Sequence, residues 1–420
     1  MRIVASLACA LLLCSCAHSE LLPSGQGTES SSASHLSGSP WLCGAPPSAE
    51  PRRPHGEIEN GVTYESLYKF KASPDGAAPY GALVALNGKL YGTAEAGGKN
   101  GYGAVFETTP TGVEHVVYSF KGGDDGEYPC AGLTVVNGNL YGTTPAGGSD
   151  GWGTIYQVTP SGKEHVIYAF KAGNDGAAPY AGLLYLNGKL YGTTVEGGAK
   201  GWGTLFATTL TGPAHVIYSF KAGKDGGYPY SKLVAVSGKL YGTTMKGGSA
   251  GWGTIFDSTT SGDERPIYSF KAGKDGGYPF DGLTAVNGKL YGTTKDGGAS
   301  GYGTVFDATT SGQEHVVYSF KGGNDGAYPY AGVLALNGNL YGVTYEGGHP
   351  KGSLSNWGTI FAIDAAGKES VLHAFAAQNG GGTDGAYPFA RLIELGGKLY
   401  GATAGGGVNN GWGTLFDITP

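Results

Sequence analysis

Apolar and polar residues alternate in short runs along most of this chain. Residues 230–280 serve as the specimen. Leu233–Val236 (LVAV) is apolar on both faces, as a strand packed between two neighbouring sheets would be. KLYGTT follows, then TIFDSTT, then ERPIYSF. In sister copies the last run reads HVIYSF, where Val216, Tyr218 and Phe220 share one face with period two. Ser237-Gly238 joins the first two runs, and Asn87-Gly88, Asn137-Gly138 and Asn287-Gly288 stand there in other copies. Asn-Gly between β-rich runs marks a two-residue hairpin, because both turn residues need positive φ. Ser261-Gly262 turns the third run into the fourth, while GGSAGWG and KAGKDGGYP form longer connections. The pattern predicts four antiparallel strands, with short turns on one side and long loops on the other.

This unit recurs. LYGTT or a close variant begins at Leu90, Leu140, Leu190, Leu240, Leu290, Leu340 and Leu399. An insertion from His349 (HPKGSLSN) and a glycine-rich loop around Gly380 displace the last copy. A unit of this size cannot bury its own apolar face, so copies must pack on one another. The ends are out of phase in a complementary way. The repeats open with a lone fourth strand, Tyr64–Phe70, and close on a third strand, Gly413–Thr419. Pairing the two completes a seventh sheet and removes an exposed edge. The expected fold is all-β: a seven-bladed β-propeller of four-stranded antiparallel blades, closed by the N-terminal strand joining the C-terminal blade. A β-solenoid is the alternative.

Composition changes the picture modestly. Gly 80 and Pro 21 mark recurrent turns once the period is known. A net charge of −6, from 27 basic and 33 acidic residues, argues against a nucleic-acid partner, which needs clustered cations. Twenty-eight Tyr and six Trp suit strands and sugar-like or peptide-like ligands. At the N-terminus, Arg2 precedes an apolar run, Ile3 to Leu13, too short to span a bilayer. The run ends in Leu13-Cys14-Ser15-Cys16, which resembles a bacterial lipoprotein signal. That resemblance implies cleavage before Cys16 (Cys14 second), multiple acylation, and a membrane anchor in the cell envelope. A plain secretory signal is the alternative. Residues 1–16 are thus expected as signal, 17–61 as a Ser/Pro/Gly-rich tether and 62–420 as the propeller. Cys43 and Cys130 are left either as a disulfide or as unpaired thiols.

NGKLYGTT..GG followed by GTIF..T.SG..HVIYSF resembles the kelch repeat over about residues 62–420, although Phe stands where kelch strands end in Trp. With DGxxP before it and GWGT after it, the phrase is similar to the bacterial GloVer (Gloeo/Verruco) tandem repeats. That resemblance implies a propeller on varied surface anchors, which the Cys16 signal fits. It implies no defined activity, because propellers host enzymes and binders alike.

Several recurrent residues invite functional readings. Asp75, Asp125, Asp175, Asp225, Asp275, Asp325 and Asp384 could ring a cation, or could each accept local backbone N–H groups in a turn; seven equal copies favour the turn. Tyr102, Trp152, Trp202, Trp252, Tyr302, Trp357 and Trp412 could stack on sugars, or pack between blades; packing is favoured. His115, His165, His215 and His315 begin outer strands too far apart to share a metal. A site on a quasi-symmetric ring must break the symmetry. Where the usual pair is Ala-Gly, this chain has Ser231-Lys232, Asp281-Gly282 and Ala390-Arg391, at the start of the inner strand. Before the Gly pairs, Glu95, Glu196, Lys246, Lys295, Asp296, Tyr345 and Glu346 vary from copy to copy. Lys232, Asp281, Arg391, Glu196, Lys246, Asp296, Tyr345 and Glu346 are the candidate ligand-binding residues; drift in a solvated loop explains them equally well.

The expected function is an extracytoplasmic, lipid-anchored monomer that binds a protein, peptide or glycan on its long-loop face. A glycan hydrolase or lyase using Asp281, Lys232 or Arg391 is the rival, and a purely structural surface protein the third reading. No cofactor or metal site is expected, since no nucleophile–base pair, P-loop or ligand spacing stands out.

Overall fold

A computed structural model describes residues 58–59, 61–349, 356–376, 384–407 and 411–420. The signal with Cys14 and Cys16, Cys43, most of the tether, residues 350–355 of the insertion and the loop around Gly380 lie outside them.

Seven four-stranded antiparallel sheets form a β-propeller. The fourth blade shows the plan: inner strand Val234–Val236, then Lys239–Thr244, Thr254–Ser258 and outer strand Glu264–Ser269. The inner hairpin turns carry the positive φ that the sequence demands, 51° at Asn87 and 74° at Gly88. Both kinds of long loop share one face. Backbone pairs such as Ala177 with Glu196 and Gly227 with Lys246 join a DG loop to the Gly-pair loop of the following unit.

The ring closes as the out-of-phase ends require. Val62–Lys69 pairs antiparallel with Thr414–Thr419, from Thr63 opposite Thr419 to Lys69 opposite Thr414. The seventh blade is therefore built from both ends of the repeat region, and the solenoid alternative falls.

LYGTT can now be read residue by residue. Leu is core: Leu90, Leu140, Leu190, Leu240, Leu290 and Leu399 are fully buried. Gly makes room for a ring from the third strand; a Cβ on Gly92 would stand 2.5 Å from Phe106, and one on Gly192 the same distance from Phe206. The first Thr ties one blade to the next, as Thr143 Oγ1 donates to Ala181 O at 3.0 Å and Thr293 Oγ1 to Ala331 O at 3.0 Å. The second Thr lies 2.8 Å from a third-strand Thr, as in Thr144 with Thr154. In the first blade both members of that pair have become Ala, Ala94 opposite Ala104.

The outer-strand Phe fastens neighbouring blades. Phe120 meets Tyr156 edge-on at 5.0 Å, Phe170 meets Phe206 at 5.3 Å, and Phe375 meets Phe416 at 5.5 Å. Phe70, from the N-terminal strand, meets Phe106 of the first blade at 5.1 Å, so the aromatic chain has no loose end.

The recurring aspartates are turn residues, as favoured. Asp175 accepts the Tyr168 hydroxyl at 2.7 Å and the Lys171 N–H at 2.8 Å. Asp125 and Asp275 do the same with Tyr118 and Lys121, and with Tyr268 and Lys271. At Asp384 the partners are His373, the Ala376 N–H and, across the closure, the Tyr64 hydroxyl at 2.7 Å. Tyr64 also stacks on His373 at 3.7 Å.

Candidate functional site

Each inner strand is preceded by a tight approach to the axis, and these segments line a central channel enclosing about 460 Å³. An aromatic belt surrounds it: Tyr80, Tyr180, Tyr230, Phe280, Tyr330 and Phe389, with Cys130 in the seventh place. Neighbouring rings touch, Tyr230 stacking on Phe280 at 4.7 Å and Tyr330 on Phe389 at 5.1 Å. Cys130 is buried, has no disulfide partner among the described residues, and leaves one gap in the belt.

Lys232, Asp281 and Arg391 all reach this channel, from the fourth, fifth and seventh blades. Arg391 is gripped by the fifth blade. It donates to Thr284 Oγ1 at 2.9 Å, to Gly282 O at 2.5 Å and to Asp281 Oδ2 at 3.2 Å. Asp281 in turn accepts the Gly332 N–H at 2.7 Å, tying in the sixth blade. Small residues make this possible, since a Cβ on Gly332 would collide with the Arg391 guanidinium. The Lys232 ammonium reaches across to Thr134 Oγ1 at 3.3 Å. Burial first, then repulsion from Arg391, lowers its pKa to about 8, against a smaller pull from Asp281. Two cations and one anion leave the channel with a positive excess wherever Lys232 is protonated.

The remaining candidates divide. Asp296, Tyr345 and Glu346 gather around the buried Lys295, between the fifth and sixth blades. Lys295 Nζ lies 3.8 Å from Asp296 and 5.7 Å from the Tyr330 ring centre. Tyr345 joins the belt, 5.2 Å from Tyr330, and also stacks on Tyr387 at 4.9 Å. Glu346 accepts from Asn356 at 3.1 Å. Burial raises the carboxyls of both Asp296 and Glu346 despite Lys295. Glu196 and Lys246 stand apart on exposed loop positions, with Lys246 5.8 Å from the Tyr228 ring centre. Glu95 is buried, which pushes its carboxyl up to about 8. His115, His165, His215 and His315 are exposed on outer strands.

The GWG aromatics mostly pack as favoured, each against the Tyr that precedes Pro in the next unit. Trp202 lies 4.9 Å from Tyr228, Trp252 4.7 Å from Tyr278, and Trp357 5.3 Å from Tyr387. Tyr102 and Tyr302 pair likewise with Tyr128 and Tyr328. Trp152 and Trp412 do not, and they are exposed.

Sequence reasoning missed one recurrent feature. Five outer strands begin with a part-buried Glu: Glu114, Glu164, Glu264, Glu314 and Glu369. Each is wedged at a blade junction near the turn aspartate of the preceding unit, Asp75, Asp125, Asp225, Asp275 and Asp325 respectively. Each has a buried carboxyl oxygen without a hydrogen-bond partner. In the sequence these residues stand only at the head of a strand run such as ERPIYSF, with no local signal of their burial.

Fold and site together define a β-propeller whose sevenfold repeat is broken by a charged cluster in its channel. Residues 57–152 and 134–353 match the Gloeobacter/Verrucomicrobia repeat, more than half of the chain, and the protein belongs to that repeat family. No curated protein matches it. Among solved structures it is similar to an ancestral GH74 enzyme, with 13% identity and a TM-score of 0.54, over 87% of this chain and 50% of that one. It is also similar to a puromycin hydrolase variant complexed with PGG, with 14% identity and a TM-score of 0.50, over 77% of this chain and 50% of that one. This chain thus spans half the length of either. Likeness at this identity concerns the fold.

Proposed function

We propose that this protein is a binding propeller of the bacterial cell envelope, held by a lipid on Cys16, that takes a glycan, peptide or protein segment at its channel mouth. One observation carries the reading. Lys232, Asp281 and Arg391 each replace a small residue of the repeat, come from three blades, and converge in one aromatic-rimmed channel. The equivalent small residues of other copies line the same channel, so what sets these three apart is their bonding across blades, with Arg391 held by Asp281 and Gly282. The positive excess favours a ligand that presents an acidic group, and the belt favours one with apolar or sugar-like faces. A hydrolase reading draws on the two similar structures, both of them enzymes by name. The channel offers it little: Ser231, beside Lys232, is buried and occupied with the Thr243 backbone at 2.9 and 3.1 Å.

The test is capture on glycan and peptide arrays by the full chain, followed by titration with variants. Lys232→Met is expected to weaken the captured ligand about tenfold or more, the loss of one charge-assisted contact, with the melting temperature retained. Unchanged affinity in Lys232→Met and Arg391→Gln would remove the channel from the site, and release of cleaved product would favour the enzyme. Anchoring has its own check. Cys16→Ala is expected to shift the protein from the membrane pellet to the soluble fraction, because acylation supplies the membrane affinity; retention in the pellet would refute the lipid tether.

A further inference from the structure

The seven GWG aromatics occupy equivalent backbone positions, yet two are treated differently, and the cause is readable. In every unit the carbonyl of this residue accepts the N–H of the residue before the next Pro: Trp202 from Tyr228, Trp252 from Tyr278, Trp152 from Ala178, Trp412 from Ala78. Five of those next residues are Tyr, and the five paired rings are partly buried. Two are Ala, in the two DGAAP copies, and there the indoles stand exposed, Trp152 at 45% and Trp412 at 37%. An alanine has thus removed the ring that would cover each tryptophan, while leaving the indole in place.

Trp152 is the better defined, since its neighbours in the loop are all described. It follows Ser149, Asp150 and Gly151, all exposed, and Ser149 Oγ donates to Asp150 at 3.0 Å. Among the described residues the other exposed large apolar side chains are Val113, Tyr185 and Trp412, on other units. Trp152 is therefore a single aromatic face set among polar groups, with no wide apolar patch around it. A protein partner wants a contiguous apolar core with a polar rim. A sugar ring wants one flat aromatic face and nearby hydroxyl partners. The polar setting favours the sugar.

We infer that the notch over Ala178 is a carbohydrate subsite, in which a pyranose ring of an oligosaccharide stacks on Trp152 in the space Tyr fills elsewhere, with Asp150 accepting from its hydroxyls. This site is separate from the channel, and its ligand need not be the channel's.

Ala178 makes a sharp test possible. Its φ is 54°, and the five Tyr at equivalent positions have φ between 54° and 61°, so a tyrosine fits the backbone. Ala178→Tyr should rebuild the covered pair while keeping Trp152. The full chain is applied to an oligosaccharide array, and hits are titrated by tryptophan fluorescence, with acrylamide quenching as a readout independent of binding. Trp152→Ala is expected to weaken binding about tenfold or more. Ala178→Tyr is expected to weaken it comparably and to shield one tryptophan from acrylamide. Lys232→Met, which addresses the channel, is expected to leave this binding unchanged. An array without hits, a peptide as the ligand displaced by Trp152→Ala, or Ala178→Tyr binding like the parent while quenching confirms that the indole is covered, would each overturn the subsite. Loss in Lys232→Met alone would assign the sugar to the channel.

Discussion

Deleting residues 62–70 is expected to lower the melting temperature by about 10 °C or more and to make the protein self-associate. The segment is one-quarter of the seventh blade. Its removal exposes the full hydrogen-bonding edge of Thr414–Thr419, and an unpaired edge is a template for another chain. It also removes Phe70, which is fully buried against Phe106, and Tyr64, which packs on His373, Phe375 and Phe416. Truncating one buried Phe costs roughly 3–5 kcal/mol, comparable with the stability of many whole domains. Phe70→Ala alone should therefore produce much of the fall, and Tyr64→Phe much less, since it keeps the packing and loses the bond to Asp384. Calorimetry and sedimentation of the three variants would settle the matter. An unchanged melting curve and monomeric sedimentation after the deletion would mean that the first strand is an ornament on a ring held shut by other means.

How much of this was legible beforehand depended on the range of each interaction. The blades were readable because a strand, a two-residue turn and its partner strand lie within about twenty residues, and the period of fifty writes the same pattern again in each unit. Closure was readable because the ends are out of phase, although Tyr64 and its acceptor Asp384 are 320 residues apart. The turn role of the aspartates was favoured on symmetry alone, and the Tyr donor seven residues earlier explains it. The channel cluster was reached by looking for broken symmetry. Its internal arrangement, with Arg391 bound to Thr284 and Asp281 across more than a hundred residues, was not. Broken symmetry marks other places too. Glu196 and Lys246 vary from copy to copy yet do not join the cluster. The two bare indoles were hidden by treating seven aromatics as equal, when the deciding residue is an Ala in the following unit.

The junction glutamates were missed for the same reason, as each Glu and its neighbouring Asp lie 39 or more residues apart on different blades. They lead to the second large expectation, a propeller that loses stability as the solution turns alkaline. Burial foremost, with the adjacent aspartate adding to it, pushes Glu114 up to about 7, Glu164 and Glu369 to about 8 and Glu264 to about 9, and burial raises Glu314 too. Glu95, raised to about 8 by burial, acts in the same sense. Between the ordinary carboxyl value of 4.5 and these values, the folded protein holds protons that the unfolded chain has released. The contribution is present in full below pH 4.5 and is lost as pH climbs through 7 to 9. Two sets of groups oppose it at the ends of the range. Asp257 and Asp384 are held low by Arg265 and Lys239 and by His373 and Tyr64, outweighing burial, so stability also falls in stronger acid. Asp296 and Glu346, also raised by burial, act with the glutamates, so Lys232, lowered to about 8 and returning some stability above that pH, is one group against eight. The melting temperature should peak near pH 5 and fall by about 5–10 °C toward pH 9. Glu264→Gln should match the parent at pH 5 and exceed it at pH 9. The third blade already tolerates the absence of this carboxyl, with Ala214 in its place and the Tyr168–Asp175 bond intact. Replacing all five should flatten the alkaline limb. A melting temperature that holds steady from pH 5 to 9, or a Gln variant that keeps the parental slope, would show that these carboxyls ionise freely in the folded ring.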